Sequence, residues 1–530
     1  MALKKTAKTR APVAPSHLPQ ELLSLGAEPK ADAFAKTYAK GKAQVVWARL
    51  VADLETPVSA YLKLAEGRRF TSLLESVEGG AVRGRYSFIG IDPDIVWRAN
   101  GAKAEINRTA LTKPDAFKPE KKPTLESLRA LLSESAIDLP EGLPPNAAGV
   151  VGFMGYDTVR LIERLPNINP DALDVPDAVM TRPTLMVVFD AVKDEMIVVT
   201  PAYPDKAVAA ETAYERALER LKSVFVALEN PVPHYAGPQP DTLKAPDATS
   251  NMTPAEYEAA VLKAKDYISA GDIFQVVLAQ RFSAPFELPP FALYRALRRT
   301  NPSPFLFHLD FGDFTIVGSS PEILVRVRNG EVTIRPIAGT RRRGQTTAED
   351  QALERELMGD PKERAEHLML LDLGRNDVGR VAEIGTVSVT EAFTVERYSH
   401  VMHIVSNVVG KLDKEHDAID ALMAGFPAGT LSGAPKVRAM EIIDELEVSK
   451  RGPYGGCVGY FSADGQMDTC IVLRTAIVKD GKIHVQAGAG VVADSVPSAE
   501  QAECVAKSAA LFRAAEVAIE FAGKTRRGNR

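Results

Sequence analysis

Cysteine is nearly absent: three in 530 residues, all between Cys457 and Cys504, and none in a CxxC pair. So few exclude a disulfide framework and a cysteine-rich metal module, and they fit a reducing compartment, so a cytoplasmic location is expected. Histidine is also sparse, at eight. His400 and His403 stand in an apparent strand at an odd separation that sends side chains to opposite faces, so a shared zinc ion is not expected. No run approaches the ~20 apolar residues that span a bilayer, and the start lacks an apolar signal core. Excess charge is missing as well. The chain has 64 basic and 69 acidic residues, a net charge of -5, which offers no electrostatic footprint for nucleic acid or an anionic membrane. No fixed-period repeat occurs, which removes solenoids. What is present is a chain that is 45% hydrophobic. That suffices for two or three compact units at about 100–200 residues each, and it is the composition of a small-molecule enzyme.

Residues 1–44 are expected to form a basic, disordered tail. Lys4, Lys5, Lys8 and Arg10 precede any acid, but one arginine is thin for a transit peptide. Five prolines in 229–252, Pro231, Pro233 and Pro246 among them, break any helical or strand period and separate 45–228 from 253–522. Before this seam, Thr184 to Phe189 and Met196 to Thr200 read as strands. After it, Thr253-Pro-Ala-Glu256 is a capping box opening a helix to about Ser269. Asn329-Gly330, Asp464-Gly465 and Asp480-Gly481 suit the positive φ of type I′ hairpin turns. The last two predict a continuous antiparallel meander from Cys457 to Val492, with Ile471, Leu473 and Thr475 on one face. Ser498 to Gln501 reads as a second capping box, opening a helix to Phe521. Sheets built from hairpins with helices laid over them give an α+β class.

Two helices each carry glutamates three residues apart, Glu363 with Glu366 and Glu500 with Glu503, so each pair shares one helix face. If the faces meet, four oxygen donors converge, a set suited to a hard cation such as Mg²⁺. Taken alone, such pairs are more often solvated surface. Gly488-Ala-Gly490-Val-Val-Ala493 satisfies a dinucleotide-binding pattern, but Asp494 to Pro497 intervene before the next helix and the preceding strand reads as antiparallel. Gly339-Thr-Arg-Arg-Arg-Gly344 lacks the Lys-Ser/Thr of a P-loop. Glycines here more simply let backbone N–H groups approach a carboxylate. His403, inside Val401-Met-His-Ile-Val405, reads first as a core histidine and second as an acid–base group.

Several segments together carry a resemblance: Pro336-Ile-Ala-Gly-Thr-Arg341, Ala365-Glu-His-Leu-Met-Leu-Leu-Asp-Leu-Gly-Arg-Asn-Asp377, Gly429-Thr-Leu-Ser-Gly-Ala-Pro-Lys436 and Gln486-Ala-Gly-Ala-Gly-Val-Val492. They are similar to motifs of the chorismate-utilising enzymes, and the likeness runs from about residue 45 to 522. Leu73-Leu-Glu-Ser76 and Gly84-Arg-Tyr-Ser-Phe-Ile-Gly90 resemble the amino-terminal region of the anthranilate synthase component I branch. The resemblance implies an antiparallel β-sandwich flanked by helices. It implies Mg²⁺-dependent conversion of chorismate and ammonia to anthranilate and pyruvate, the first step of tryptophan biosynthesis. It assigns Glu366 and Glu503 to Mg²⁺, with Glu363 and Glu500 behind them, and gives chorismate Gly339, Thr340, Tyr454, Arg474, Gly488, Ala489, Gly490 and Lys507. A dianion beside four glutamates needs such cations and N–H groups.

Within the family, Gln275 stands where water-adding relatives have lysine, and an amide cannot deprotonate water, whereas ammonia needs no strong base. Ala338 stands where aminodeoxychorismate synthases typically place a lysine nucleophile, so that covalent route is closed and that alternative disfavoured. Glu322, in Ser319-Ser-Pro-Glu322, matches the general acid that protonates the departing hydroxyl; its pKa must be raised. His403 is assigned to the second stage, pyruvate loss and aromatisation. Glu75, Ser76, Pro304, Phe305 and Leu306 match the family's tryptophan pocket, although Phe305-Leu306 replaces a common Tyr-Met pair. The short stretch after the last helix leaves no room for a fused amidotransferase, so a separate glutamine amidotransferase subunit is expected, in the heterodimers and heterotetramers common in the family. Two other classes stay in view: a nucleotide-binding oxidoreductase, resting only on Gly488 to Ala493, and a non-catalytic tryptophan-binding relative, opposed by the intact Glu366, Glu503 and Arg474.

Overall fold

The computed structural model describes residues 25–65, 67–78, 82–166, 169–233, 245–398 and 401–524. His400 lies outside them. Among the described strands every pairing is antiparallel, and all 22 join one hydrogen-bonded sheet. The sheet folds back on itself. Phe153, Val151 and Val179 from early strands meet Phe307, Ile316, Val458 and Cys470 from late strands in one apolar layer. Helices cover the outer faces: Pro254–Ser269, Pro361–Gly379 and Lys436–Leu446 join one core, and Ala210–Glu229, Pro290–Thr300 and Pro497–Lys524 another. The expected sandwich with flanking helices is therefore the fold.

The seam at 229–252 does not divide the sheet. Thr71–Glu78 pairs with Phe305–Asp310, and Gly149–Met154 pairs with Cys457–Ser462, so strands from both sides of the seam alternate in one structure. Residues 234–244 lie outside the described part, but Thr249–Ser250 already pairs with Gln275–Pro285. The tail expectation for 1–44 falls partly outside the described residues and is overturned from residue 25 onward. Ala31–Ala39 is a helix burying Phe34 and Tyr38, and Glu28 bridges to Trp47.

Local turn chemistry explains what else the sequence did and did not place. Thr253 and Glu256 form the capping box in both directions. Asn329-Gly330 and Asp480-Gly481 each take two positive φ values, as a two-residue hairpin turn requires. At Asp464-Gly465 only the glycine does, and Ser462 N–H donates to the Gln466 carbonyl at 2.8 Å, so the loop is one residue longer than expected. Ser498 is not a cap: the last helix starts at Pro497, and the Val496 carbonyl accepts from Ala499 and Glu500 N–H.

The meander is interrupted. Met467–Ile471 pairs with Cys457–Ser462 and Ile323–Arg328, whereas Thr475–Lys479 pairs with Phe314–Ser320 and Lys482–Val491. Ile471 and Thr475 therefore belong to different strands. Between them Arg474 adopts φ 49°, a left-handed conformation that costs a non-glycine residue of order 1 kcal/mol or more.

Gly152 sits in the strand joining the two halves, where an added Cβ would lie 2.0 Å from the Val179 carbonyl oxygen. Gly152→Ala is expected to cost about 1–3 kcal/mol and to lower the midpoint of a single thermal transition. Calorimetry showing two separable transitions would contradict the one-sheet description.

Candidate functional site

Four strands, two long helices and one short turn bring the chemistry together. Gln275 opens Gln275–Pro285, which runs antiparallel to Lys482–Val491 with Val277 opposite Gly490 and Ala279 opposite Gly488. An added Cβ at Gly490 would sit 2.7 Å from Gln275 Nε2, so only glycine leaves room for the amide over this strand. Gln275 Nε2 donates toward Glu366 Oε1 at 3.5 Å, while Gln275 Oε1 is buried without a hydrogen-bond partner. Glycines 488 and 490 lie inside a strand rather than at a strand–helix turn, and this removes the dinucleotide reading.

Glu366 and Glu363 occupy Pro361–Gly379. Asp360 caps this helix, accepting from Lys362 N–H at 2.9 Å and Glu363 N–H at 3.4 Å. Arg341 binds Glu356, Asp360 and Glu363 at 2.8–2.9 Å, which fixes the helix start against Ile337–Arg342. Gly339 in that strand has φ 70°, and a Cβ there would approach Glu363 Oε2 to 3.2 Å. Burial first, then the charges of Glu363 and Glu503, push Glu366 above the usual carboxylate range. Glu500 is likewise raised, chiefly by burial, with Glu503 adding to it. Lys507, one turn beyond Glu503, pairs with it at 2.7 Å and donates to the Gly488 carbonyl at 2.9 Å.

Glu322 has a partly open side chain, but its carboxyl is enclosed and accepts from Thr430 Oγ1 at 3.1 Å. Burial pushes it up to about 7, against the lowering effects of Thr430, Arg474 and Lys507. Arg474 is itself held below its ordinary value by burial and is drawn back up by Glu322. His403 lies 2.9 Å from the Gly339 carbonyl and 3.1 Å from Thr340 Oγ1, both through Nδ1. A carbonyl only accepts, so Nδ1 carries the proton and Nε2 keeps its lone pair. Burial lowers His403, which favours the neutral ring. Tyr454 is buried, with its hydroxyl beside Gly488. Ala489 faces the core, its N–H and carbonyl belonging to the strand.

The chorismate binding enzyme family matches residues 85–513 of this chain. The chain belongs to that family. Anthranilate synthase component 1 of Cereibacter sphaeroides is 57% identical over 497 residues, covering 94% of this chain and 99% of that protein. The Pseudomonas putida component 1 is 48% identical over 481 residues, covering 89% and 95%. Among solved structures, anthranilate synthase component I from Streptococcus pneumoniae is similar with TM-score 0.71 and 37% identity, over 88% of this chain and 99% of that one. The menaquinone-specific isochorismate synthase of Escherichia coli, 18% identical with TM-score 0.67 over 93% and 99%, shares the fold.

As a chorismate-binding enzyme the chain holds its donors in an unequal state. Among the described residues no three of His, Cys, Asp and Glu enclose a metal position. Glu363 is engaged by Arg341 and Glu503 by Lys507, leaving Glu366 as the enclosed carboxylate that feels two like charges. All donors are hard oxygens, so they fit a cation held by one or two carboxylates that keeps its waters, as Mg²⁺ does. Thr430 and Arg341 sit inside the family motifs yet carry no assignment from sequence; the signal for Thr430 was its place in Gly429-Thr-Leu-Ser-Gly.

Glu75, Ser76, Pro304, Phe305 and Leu306 all line one cavity of about 860 Å³, together with Phe88, Tyr398 and Tyr460. A register shift between Glu75 and Val77 leaves Ser76 on a bulge. The Glu75 carboxylate itself is bound by Arg298 at 2.6 and 2.8 Å and by the Tyr294 hydroxyl, so it buttresses the cavity wall.

Glu322 is expected to be protonated below and ionised above about pH 7, and Thr430→Val, which removes the hydrogen bond that favours the ionised form, is expected to move this titration upward. A carboxyl-labelled NMR titration, assigned by loss of the signal in Glu322→Gln, measures it; an ordinary carboxylate value near 4 would contradict the enclosed geometry.

Proposed function

We propose that the chain is the synthase subunit of an anthranilate synthase, converting chorismate and ammonia to anthranilate, pyruvate and water. The observation carrying this reading is a buried, raised carboxyl at Glu322 in a chain whose two discriminating positions hold an amide, Gln275, and a methyl, Ala338, so that neither position offers a strong base or an amine nucleophile. Ammonia adds to C2 of chorismate and the 4-hydroxyl leaves as water, taking its proton from Glu322, whose value of about 7 keeps a protonated fraction at neutral pH. The unpaired Gln275 Oε1 suits an N–H of the incoming ammonia. In the second stage the C2 proton leaves, the C–O bond to the enolpyruvyl group breaks, and that group takes a proton at its methylene to depart as pyruvate. His403 Nε2, neutral and unprotonated, is placed in the role of base for C2.

Arg474, Lys507 and the backbone of Gly488 and Gly490 are assigned to the substrate carboxylates and Thr340 and Tyr454 to its ring substituents, while Ala489, paired with Leu278 in the sheet, is left out. Glu366 and Glu503 would hold Mg²⁺, with Glu363 and Glu500 in support; the ion supplies positive charge that lets a dianion sit beside glutamates. Ala338, buried and without an amine, leaves no nucleophile for the para-amino product. The relatives' designation as component 1 supports a second component, proposed here as a glutamine amidotransferase that delivers ammonia. No helix among the described residues is long and apolar enough to cross a membrane.

Anthranilate fluorescence should rise when the purified chain is given chorismate, Mg²⁺ and ammonium, and should vanish with chelator. Glu366→Gln is expected to lose at least about 10²-fold in kcat; undiminished activity in that variant would sink the site assignment, and a product other than anthranilate would sink the reaction.

Tryptophan is proposed as a feedback inhibitor in the 860 Å³ cavity. Ser76→Tyr, which fills the bulge with a ring, should raise the inhibitory concentration at least about tenfold, ~1.4 kcal/mol, while kcat without tryptophan is retained. A wild-type chain indifferent to millimolar tryptophan would refute this part alone.

A further inference from the structure

The strand Gln275–Pro285 has one edge satisfied by Lys482–Val491 and the other by a patchwork. On that second edge Gln275 and Val276 pair with Ala434 and Gly433, and Val277 N–H donates to the Ser432 carbonyl at 2.9 Å. Further along, Arg281 N–H reaches Asn251 Oδ1 at 2.8 Å, and the Arg281 carbonyl accepts from Asn251 N–H at 2.9 Å. Among the described residues no strand fills the interval. Two side chains do: Arg451 Nη2 donates to the Val277 carbonyl at 2.7 Å, and Glu447 Oε1 accepts from Ala279 N–H at 2.9 Å.

These two residues also bind one another, Nε to both carboxylate oxygens at 3.1 and 3.0 Å and Nη2 to Oε1 at 2.5 Å. Their side chains are 1% and 4% exposed. The guanidinium lies over the rings of Tyr156 at 4.6 Å and Tyr454 at 5.6 Å. Its remaining nitrogen, Nη1, donates to the Leu431 carbonyl at 2.6 Å. Leu431 closes the single turn Gly429–Leu431, and Thr430 in that turn donates to Glu322.

A buried ion pair is weak evidence of stabilisation, because desolvating two charges costs about what their attraction returns. What this pair supplies is position, since a planar guanidinium with five donors fixes the directions of everything it binds. We infer that Glu447 and Arg451 form a positioning device for the proton donor, holding the Leu431 carbonyl and hence the Thr430 hydroxyl against Glu322. The inference rests on the proposed role of Glu322. Arg451 and Glu447 are positioning residues that act through Thr430.

The test is a double-mutant cycle on the full chain with chorismate, Mg²⁺ and ammonium. Arg451→Met combined with Glu447→Leu removes both charges at once but leaves the Ala279 N–H and the Val277 and Leu431 carbonyls without these partners, so the melting temperature is expected to fall. Measured below that lowered transition, kcat is expected to fall about tenfold to a hundredfold while KM for chorismate moves less than about threefold. In a Thr430→Val background the same pair of substitutions should cost little further, because the route to Glu322 is already cut. Wild-type kcat without the pair, or the full loss persisting beside Thr430→Val, overturns the inference. Should the paired variant fail to fold, Glu447→Gln, which keeps the side-chain shape, is read in the same cycle with the same two outcomes. Glu322→Gln separates the levels: a wild-type rate there overturns the proton-donor reading and this inference with it, whereas a slow Glu322→Gln with additive losses overturns this inference alone.

Discussion

Repulsion between like charges governs this site. Two carboxylates about 4 Å apart repel by roughly 4 kcal/mol at an effective dielectric of 20, and the helices Pro361–Gly379 and Pro497–Lys524 bring four glutamates to a region assigned to a dianion. The chain divides that charge rather than neutralising it uniformly. Arg341 takes Glu363 together with Glu356 and Asp360, and Lys507 takes Glu503. Glu366 is left enclosed and raised, so a cation finds one carboxylate whose charge is otherwise disfavoured. Glu322, the proposed acid, is raised by burial instead, against Thr430, Arg474 and Lys507, which favour its ionised form. One type of side chain is thus tuned differently at each position, as proposed ligand, as buttress and as proposed proton donor, according to what lies within a few ångströms of each.

Topology makes those environments possible. A continuous meander would have carried the chain from Met467–Ile471 straight into an adjacent strand. The chain instead leaves one region of the sheet after Ile471 and rejoins another at Thr475. Arg474 sits at that crossing in a left-handed conformation, with its carbonyl accepting from Ser319 N–H at 3.2 Å. A backbone strained in this way persists where surrounding structure fixes it, and here it delivers a guanidinium beside Glu322, where regular alternation along one strand would have spent it on a neighbouring rung.

Those two facts explain what the sequence disclosed. Turn dipeptides, the Thr253 capping box and the hydrophobic alternation are local signals, and they located strands and helices well. Asp464-Gly465 misled because a dipeptide does not state loop length, and Ser498 misled because proline one residue earlier had already opened the helix. Strand order is not local: nothing around Ile471 tells that its next strand partners Phe314–Ser320. The site residues were legible mainly through the family motifs, since helical spacing alone made the glutamate pairs look like ordinary surface. The Glu447–Arg451 pair was illegible for the same reason. An i, i+4 acid–base pair on a helix end reads as solvated, and only tertiary packing turns it into the missing rungs of a strand.

Cavity and site share a wall, and this shapes how a ligand in one could act on the other. Pro321 and Ile323 line the 860 Å³ cavity, and the residue between them is Glu322. Tyr398 also lines it, and its ring meets His403 edge-on at 5.5 Å between centroids. Ile337 lines it too, in the strand that carries Gly339 and Thr340. A side chain inserted at Ser76 and Leu306 therefore reaches the backs of the proposed acid, the proposed base and a substrate strand without any long relay. Close-packed walls transmit small displacements because they have little free volume to absorb them. Proton transfer, in turn, is sensitive to shifts well below an ångström. Coupling between the two sites then needs only that the wall have two arrangements, one of them disfavoured when the cavity is filled.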